Sequence, residues 1–145
     1  MKAVVQRVKQ TRLSVDNELI SEIPFGLTVF LGVKTGDTEK EADYLAKKIA
    51  GLRIFEDENG KMNLSVKDVG GEVLLVSQFT LYGDASHGNR PSFTLAERPE
   101  RANLLYEYTA EQLRNQGVVV KQGVFGADMK IEQYNDGPVT ILLEI

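Results

Sequence analysis

Gly26-Leu27-Thr28-Val29-Phe30-Leu31-Gly32-Val33 (GLTVFLGV) is the stretch that decides the fold. It is almost continuously apolar and lacks the alternation that would leave one face wet, so it reads as a strand buried on both sides and central in its sheet. Such a strand needs cover, and the next segment provides it. Thr38 followed by Glu41 forms a capping box, and Ala42, Leu45, Ala46, Ile49 and Leu52 recur at helical spacing, which predicts a helix from about Glu39 to Ala50. Towards the start of the chain, Lys2 to Val8, Arg12 to Val15 and Glu18 to Glu22 read as strands, the last two joined by a turn at Asp16-Asn17. Towards the end, Arg53 to Glu56, a turn at Asn59-Gly60 and Glu72 to Ser77 return to strand character. A second helix follows: Pro99 suits its first turn, Gly117 its C-terminal cap, and Ala102, Leu105, Tyr106, Thr109 and Leu113 mark its buried stripe. Val118 to Gln122, Met129 to Tyr134 and Val139 to Ile145 are strands again. Two helices among about eight strands predict an α/β fold with mixed sheets and the helices covering one side.

With 145 residues and 42% hydrophobic content, the chain fits one domain from residue 1 to residue 145 with a real core. No apolar run approaches the roughly 20 residues of a membrane helix, and Met1 opens directly into a strand-like segment, so a soluble, cytoplasmic protein with no membrane partner is expected. The absence of cysteine removes disulfides, thiolate zinc sites and cysteine nucleophiles together. A formal charge of −4 argues against coating nucleic acid through a broad basic surface, because phosphate neutralisation supplies most of such affinity. Any RNA contact must be local, and DNA is not an expected partner.

The only histidine, His87, would have to serve any Ser-His-Asp triad, yet it lies in the polar loop Gly83 to Asn89, where a solvated side chain is the commoner outcome. Asp84 and His87 offer two metal ligands with no third apparent, so neither a metal nor another cofactor is expected. Ser77-Gln78-Phe79-Thr80-Leu81-Tyr82 ends the apolar run Val73 to Val76. Two hydroxyls and an amide there suit the mouth of a cleft, while the same residues also end strands simply by bonding to turn backbone. Arg90-Pro91-Ser92-Phe93 adds a cation and an aromatic ring in a loop stiffened by proline. Asn135-Asp136-Gly137-Pro138 precedes the last strand and reads either as an ordinary trans turn, which isolated X-Pro bonds favour, or as a cis peptide presenting bare carbonyls at a site.

These segments, taken in order, carry a resemblance. Ser77-Gln78-Phe79-Thr80-Leu81 and Asn135-Asp136-Gly137-Pro138-Val139-Thr140, together with Gly88-Asn89-Arg90-Pro91-Ser92-Phe93, Gly60-Lys61-Met62-Asn63-Leu64 and Phe125-Gly126-Ala127-Asp128-Met129, resemble the bacterial-type D-aminoacyl-tRNA deacylase family over essentially the whole length. The resemblance implies mixed sheets layered against helices (β/β/α) and a homodimer with its active sites at the subunit interface. It implies that Gly137-Pro138 is cis and enters the other subunit's site, where its carbonyls exclude the side chain of an L-amino acid and admit D-amino acids and achiral glycine. It implies a backbone oxyanion hole near Phe79 and Thr80, orientation of the aminoacyl group by Ser77 and Gln78, and help from the terminal adenosine's 2′-OH in activating water. Thr80 as a nucleophile ranks second, since nothing in the sequence is seen to deprotonate it.

By the same resemblance the adenine packs against Phe125, Gly126 and Met129 with Ala102 nearby, and Arg90 contacts the substrate. One departure stands out. Many members carry basic residues before the Gly-x-Arg-Pro-Ser-Phe motif, where this chain has Asp84-Ala85-Ser86-His87; Arg90, Arg7 and Lys9 are the cations expected to compensate. Two readings stay open beside this one: a non-catalytic RNA-end or nucleotide-binding homodimer, and a Ser/Thr hydrolase of another ester that pairs Ser77 or Thr80 with His87.

Overall fold

The computed structural model describes residues 1–145. Its first strand, β1 (Lys2–Val15), is long enough to serve two layers. The two strands expected at Lys2 to Val8 and Arg12 to Val15 are one, because its neighbours change while the strand continues. Lys2 to Val8 pairs antiparallel with β3 (Gly26–Gly32), and Thr11 to Val15 pairs antiparallel with β2 (Glu18–Ile23). Asp16 and Asn17 both take positive φ, the condition for the tight hairpin that joins β1 to β2. Strands β4 (Phe55–Glu56) and β5 (Met62–Leu64) form a separate small hairpin.

The main sheet continues from β3 to β6 (Glu72–Ser77) and β7 (Val119–Gln122), both parallel additions, giving the order β2-β1-β3-β6-β7. Strand β3 is therefore central, as its unbroken apolar run predicts. The last strand, β8 (Lys130–Glu144), covers the other edge of β1 along nearly its whole length. Here too two expected strands fuse, and the join carries information. Between the pairs Gln6↔Thr140 and Val8↔Asn135, β1 advances two residues while β8 advances five, so the segment around Asp136, Gly137 and Pro138 stands off the sheet as a bulge. Gly137–Pro138 is cis, not the trans bond favoured for an isolated X-Pro pair.

Helix α1 (Glu39–Gly51) begins with the expected capping box, Thr38 accepting from the Lys40 N–H while Glu41 accepts from the Thr38 N–H at 2.7 Å. Helix α2 (Pro99–Asn115) has Pro in its first turn and Gly117 at positive φ just beyond its end. Both helices lie on one face of the sheet. Ala42, Leu45, Ala46 and Ile49 of α1 and Ala102, Leu105, Tyr106, Ala110 and Leu113 of α2 close over Ala3, Val5, Leu27, Val29, Val73 and Leu75 to form the larger core. The opposite face of β6 gives a second, smaller core in which Leu74 and Val76 meet Val8, Leu13 and Ile23. The result is the expected mixed α/β architecture, with two strand layers and one helical layer.

A buried polar pair links the strand layers. Thr11 and Thr28, both fully buried, share one hydrogen bond of 2.7 Å between their hydroxyls. Thr28→Val should cost about 1–3 kcal/mol by leaving the Thr11 hydroxyl alone, and the double variant Thr11→Val/Thr28→Val should recover most of it. Urea unfolding of the four-membered cycle measures this; equal and additive losses would show that the hydroxyls are not coupled.

Candidate active site

Strand β6 ends at Ser77 because Gln78 leaves the ladder: its N–H still donates to Leu31 O at 2.8 Å, and the chain then turns through one 3-10 helix, Phe79–Tyr82. The first N–H groups of a helical turn have no acceptor within it, and here Gln78 supplies no side-chain cap. Its amide donates instead to the Thr80 hydroxyl. The turn thus presents the N–H groups of Phe79 and Thr80 at the end of a buried strand, beside two polar side chains.

Next to it opens a cleft of about 620 Å3, a volume suited to a small-molecule ligand. Ser77, Gln78 and Phe79 form one wall, Ala102 and Tyr106 of α2 another, and Phe125, Gly126 and Met129 a third. Seven residues singled out in the sequence are therefore brought together around one space. The Phe79 ring is more than half exposed and packs edge-on against Phe93 at 5.1 Å between centroids, so the loop containing Arg90 to Phe93 buttresses the turn. Tyr106 tilts against Phe125 at 5.9 Å and donates its hydroxyl to Leu75 O at 2.8 Å. That same carbonyl accepts from Gly123 N at 3.0 Å, which ties β6 to the start of the loop bearing Phe125. Burial pushes the Tyr106 phenol up to about 12, so it serves as a donor and not as a base near neutral pH.

Several expected residues lie elsewhere. Thr80 is exposed at the rim, and its side chain does not line the cleft. Arg90 is exposed outside it, and His87 is exposed with no hydrogen bond to Ser77 or Thr80. Hydrogen bonds from Ser86 hold the Asp84 carboxyl below its usual range, which keeps a negative charge in that loop. No three His, Cys, Asp or Glu side chains converge. Gly137 and Pro138 are exposed and do not line their own chain's cleft.

The bulge bearing Gly137 and Pro138 is nevertheless fixed firmly. Arg7, only 6% exposed, donates through Nε to Asp136 O at 3.2 Å and through Nη1 to Ile54 O at 2.7 Å. Its Nε also lies 3.3 Å from the Asp136 carboxylate, and Lys9 Nζ stands 3.8 Å from the same carboxylate. Arg7 is thus committed to Asp136 and Ile54, which corrects the expectation that it stands in for missing phosphate contacts, whereas the Lys9 side chain stays largely exposed.

Glu97 is the residue of this site that sequence reading missed: it is the one acidic or basic side chain that lines the cleft. Its carboxylate lies 3.4 Å from Arg101 Nε and accepts from Arg98 N at 2.8 Å. Its position just before Pro99 was the available signal, because a carboxylate near a helix start tends to bond free N–H groups.

The fold and the cleft define a small α/β domain whose largely apolar site lies at the end of a parallel strand, with uncharged polar groups and backbone donors on one side. Comparison with known proteins narrows the class. Residues 4–144 match the family model described as D-Tyr-tRNA(Tyr) deacylase. The chain is 60% identical over 144 residues to a D-aminoacyl-tRNA deacylase of Koribacter versatilis, covering 99% of this chain and 97% of that protein, and 53% identical to one of Bacillus cytotoxicus, covering 99% of each. The chain belongs to the D-Tyr-tRNA(Tyr) deacylase family. Among solved structures, it superimposes on a c-Myc DNA unwinding element binding protein with TM-score 0.94 at 47% identity, over 100% of this chain and 99% of that one. A probable eukaryotic D-amino acid tRNA deacylase shares the fold, with TM-score 0.85 at 17% identity over 99% and 98% of the two chains.

Proposed function

We propose that the chain, as one domain over residues 1–145, hydrolyses the ester between a D-amino acid and the 3′ end of tRNA. The observation that carries this reading is the cleft beside the Phe79–Tyr82 turn, supported by relatives that are D-aminoacyl-tRNA deacylases over their whole length. The ester carbonyl is already activated towards water. Holding it beside the Phe79 and Thr80 N–H groups supplies stabilisation where negative charge develops, and Ser77 and Gln78 orient the aminoacyl group. The substrate's own 2′-OH assists the attacking water. Phe125, Gly126, Met129 and Ala102 take the terminal adenine.

Selection of hand is assigned to Gly137-Pro138 of a second copy. What supports this is the placement of that bulge, exposed and away from its own cleft yet clamped by a buried arginine, on a strand that leaves Tyr134, Leu142 and the adjoining Ile145 exposed. Glycine allows close approach, and its φ of +124° with Val139 atoms 2.9 Å from any added Cβ leaves no room for a side chain. A homodimer follows, acting on aminoacyl-tRNA in the cytoplasm and accepting glycyl-tRNA as well, since glycine has no side chain to exclude. No helix of the chain is long and apolar enough to cross a membrane.

The test is hydrolysis of D-Tyr-tRNA and L-Tyr-tRNA side by side with a chelator present. Rapid loss of the D ester alone is expected. Equal cleavage would keep the hydrolase and discard the Gly137-Pro138 filter, whereas tight binding without turnover would favour the RNA-end-binding reading.

A further inference from the structure

If an aminoacylated end enters the cleft, the phosphates behind it need cations, and of those expected from the sequence Arg7 is buried on Asp136 and Ile54, Lys9 has the Asp136 carboxylate at 3.8 Å, and Arg90 is exposed outside the cleft. Of the 17 Lys and Arg residues, seven side chains lie within 4.0 Å of a carboxylate, Arg7 and Lys9 among them. Lys47, Lys48 and Arg53 do not. They line one groove of about 440 Å3 with Tyr44, Gly51 and Leu52, and no carboxylate lines it. Arg53 donates through Nη2 to the neutral Asn63 Oδ1 at 2.7 Å, and Lys48 Nζ lies 5.5 Å from the centre of the half-exposed Tyr44 ring, so all three charges stay uncompensated. The negative end of the α1 dipole accounts for one lysine in the last turn, Lys48. It does not account for Arg53 beyond the helix end, and its roughly half charge is small beside three cations.

The groove is also rigidly connected to the Gly137-Pro138 bulge. Arg53 is followed by Ile54, whose carbonyl holds Arg7 Nη1, and Arg7 holds Asp136. In a dimer where Gly137-Pro138 of one subunit enters the other's cleft, these bonds tie the first subunit's groove to the segment that enters.

We propose that the Lys47, Lys48 and Arg53 groove holds phosphates of the tRNA strand whose aminoacylated end lies in the partner subunit's cleft. This rests on the cross-subunit reading above. It makes the otherwise acidic protein a tRNA binder through one local patch.

The experiment compares the parent with K47Q/K48Q and with K40Q/K67Q, a double variant of equal charge change away from the groove, on D-Tyr-tRNA and on the D-tyrosyl ester of adenosine. For K47Q/K48Q the expected result on D-Tyr-tRNA is a KM raised on the order of 5-fold or more at low salt with kcat unchanged, and a plot of log affinity against log salt flattened by about 2. On the adenosine ester it should match the parent, and K40Q/K67Q should match the parent on both substrates. Equal effects of the two double variants, equal loss on both substrates, or no loss would each overturn the proposal. Failure of the parent to cleave either ester would instead overturn the deacylase reading, and circular dichroism with a melting curve confirms that each variant is folded.

Discussion

Gly26→Ala is expected to lower the urea-unfolding midpoint sharply and to cut the soluble yield. Gly26 opens β3 at φ +143°, and a Cβ there would lie 1.9 Å from Glu72 O and 2.6 Å from Glu72 N. Both atoms are backbone, so no side chain can swing aside. Only withdrawal of β6 would relieve the contact, and that breaks the parallel register running from Gly26↔Glu72 to Leu31↔Ser77. The same strands carry Val29, Val73 and Leu75 of the larger core and end at the cleft. The loss should exceed about 3 kcal/mol, a large share of the stability of a domain this size. Soluble yield and urea unfolding followed by circular dichroism measure it. A midpoint near that of the parent would mean that β3 and β6 can separate at this end without cost to the rest of the sheet.

Thr80→Pro should lower kcat on D-Tyr-tRNA by about 10²–10³-fold, while Thr80→Ala should stay within about tenfold of the parent. Thr80 is the second residue of a 3-10 turn, where the N–H has no intrahelical acceptor and the backbone already suits proline's φ. Proline therefore deletes the proposed oxyanion donor, and an unchanged melting temperature would separate loss of the donor from loss of the turn. Alanine keeps the donor and removes only the hydroxyl, which here accepts from the Gln78 amide and has no base beside it. Loss in Thr80→Ala as large as in Thr80→Pro would instead make the hydroxyl the nucleophile. His87→Ala is the companion measurement. Full activity is expected from an exposed loop histidine bound to neither Ser77 nor Thr80, and its loss would favour a histidine-assisted hydrolase.

Much of this architecture was legible residue by residue. The capping box at Thr38 and Glu41, the stripe from Ala42 to Ile49, Pro99 at a helix start and Gly117 past a helix end all appear where local chemistry predicts them. Each depends on interactions within a few residues. The central place of β3 was legible for a different reason: a run with no polar face has nowhere to lie except between two layers. Ser77, Gln78 and Phe79 were legible as a strand end, but the choice between a site and an ordinary turn was not, since both use the same residues. What favours the site is the arrival of α2 and the Phe125 loop, from about 25 and 50 residues further on, to wall the same space.

Periodicity, capping and ordered motifs were enough to give the class of fold, the two helices and their buried faces, and the family to which the chain belongs. The folded structure was needed to show that β1 and β8 run unbroken through two layers, since strand continuity depends on neighbours that pairing brings from far along the chain. It alone decided that Arg7 is a buried clamp on Asp136 and Ile54 and not a free cation, and that Glu97 faces the cleft. A charged residue reads the same in sequence whether solvated or buried. Its role is set by which oxygens the fold places within about 3 Å of it.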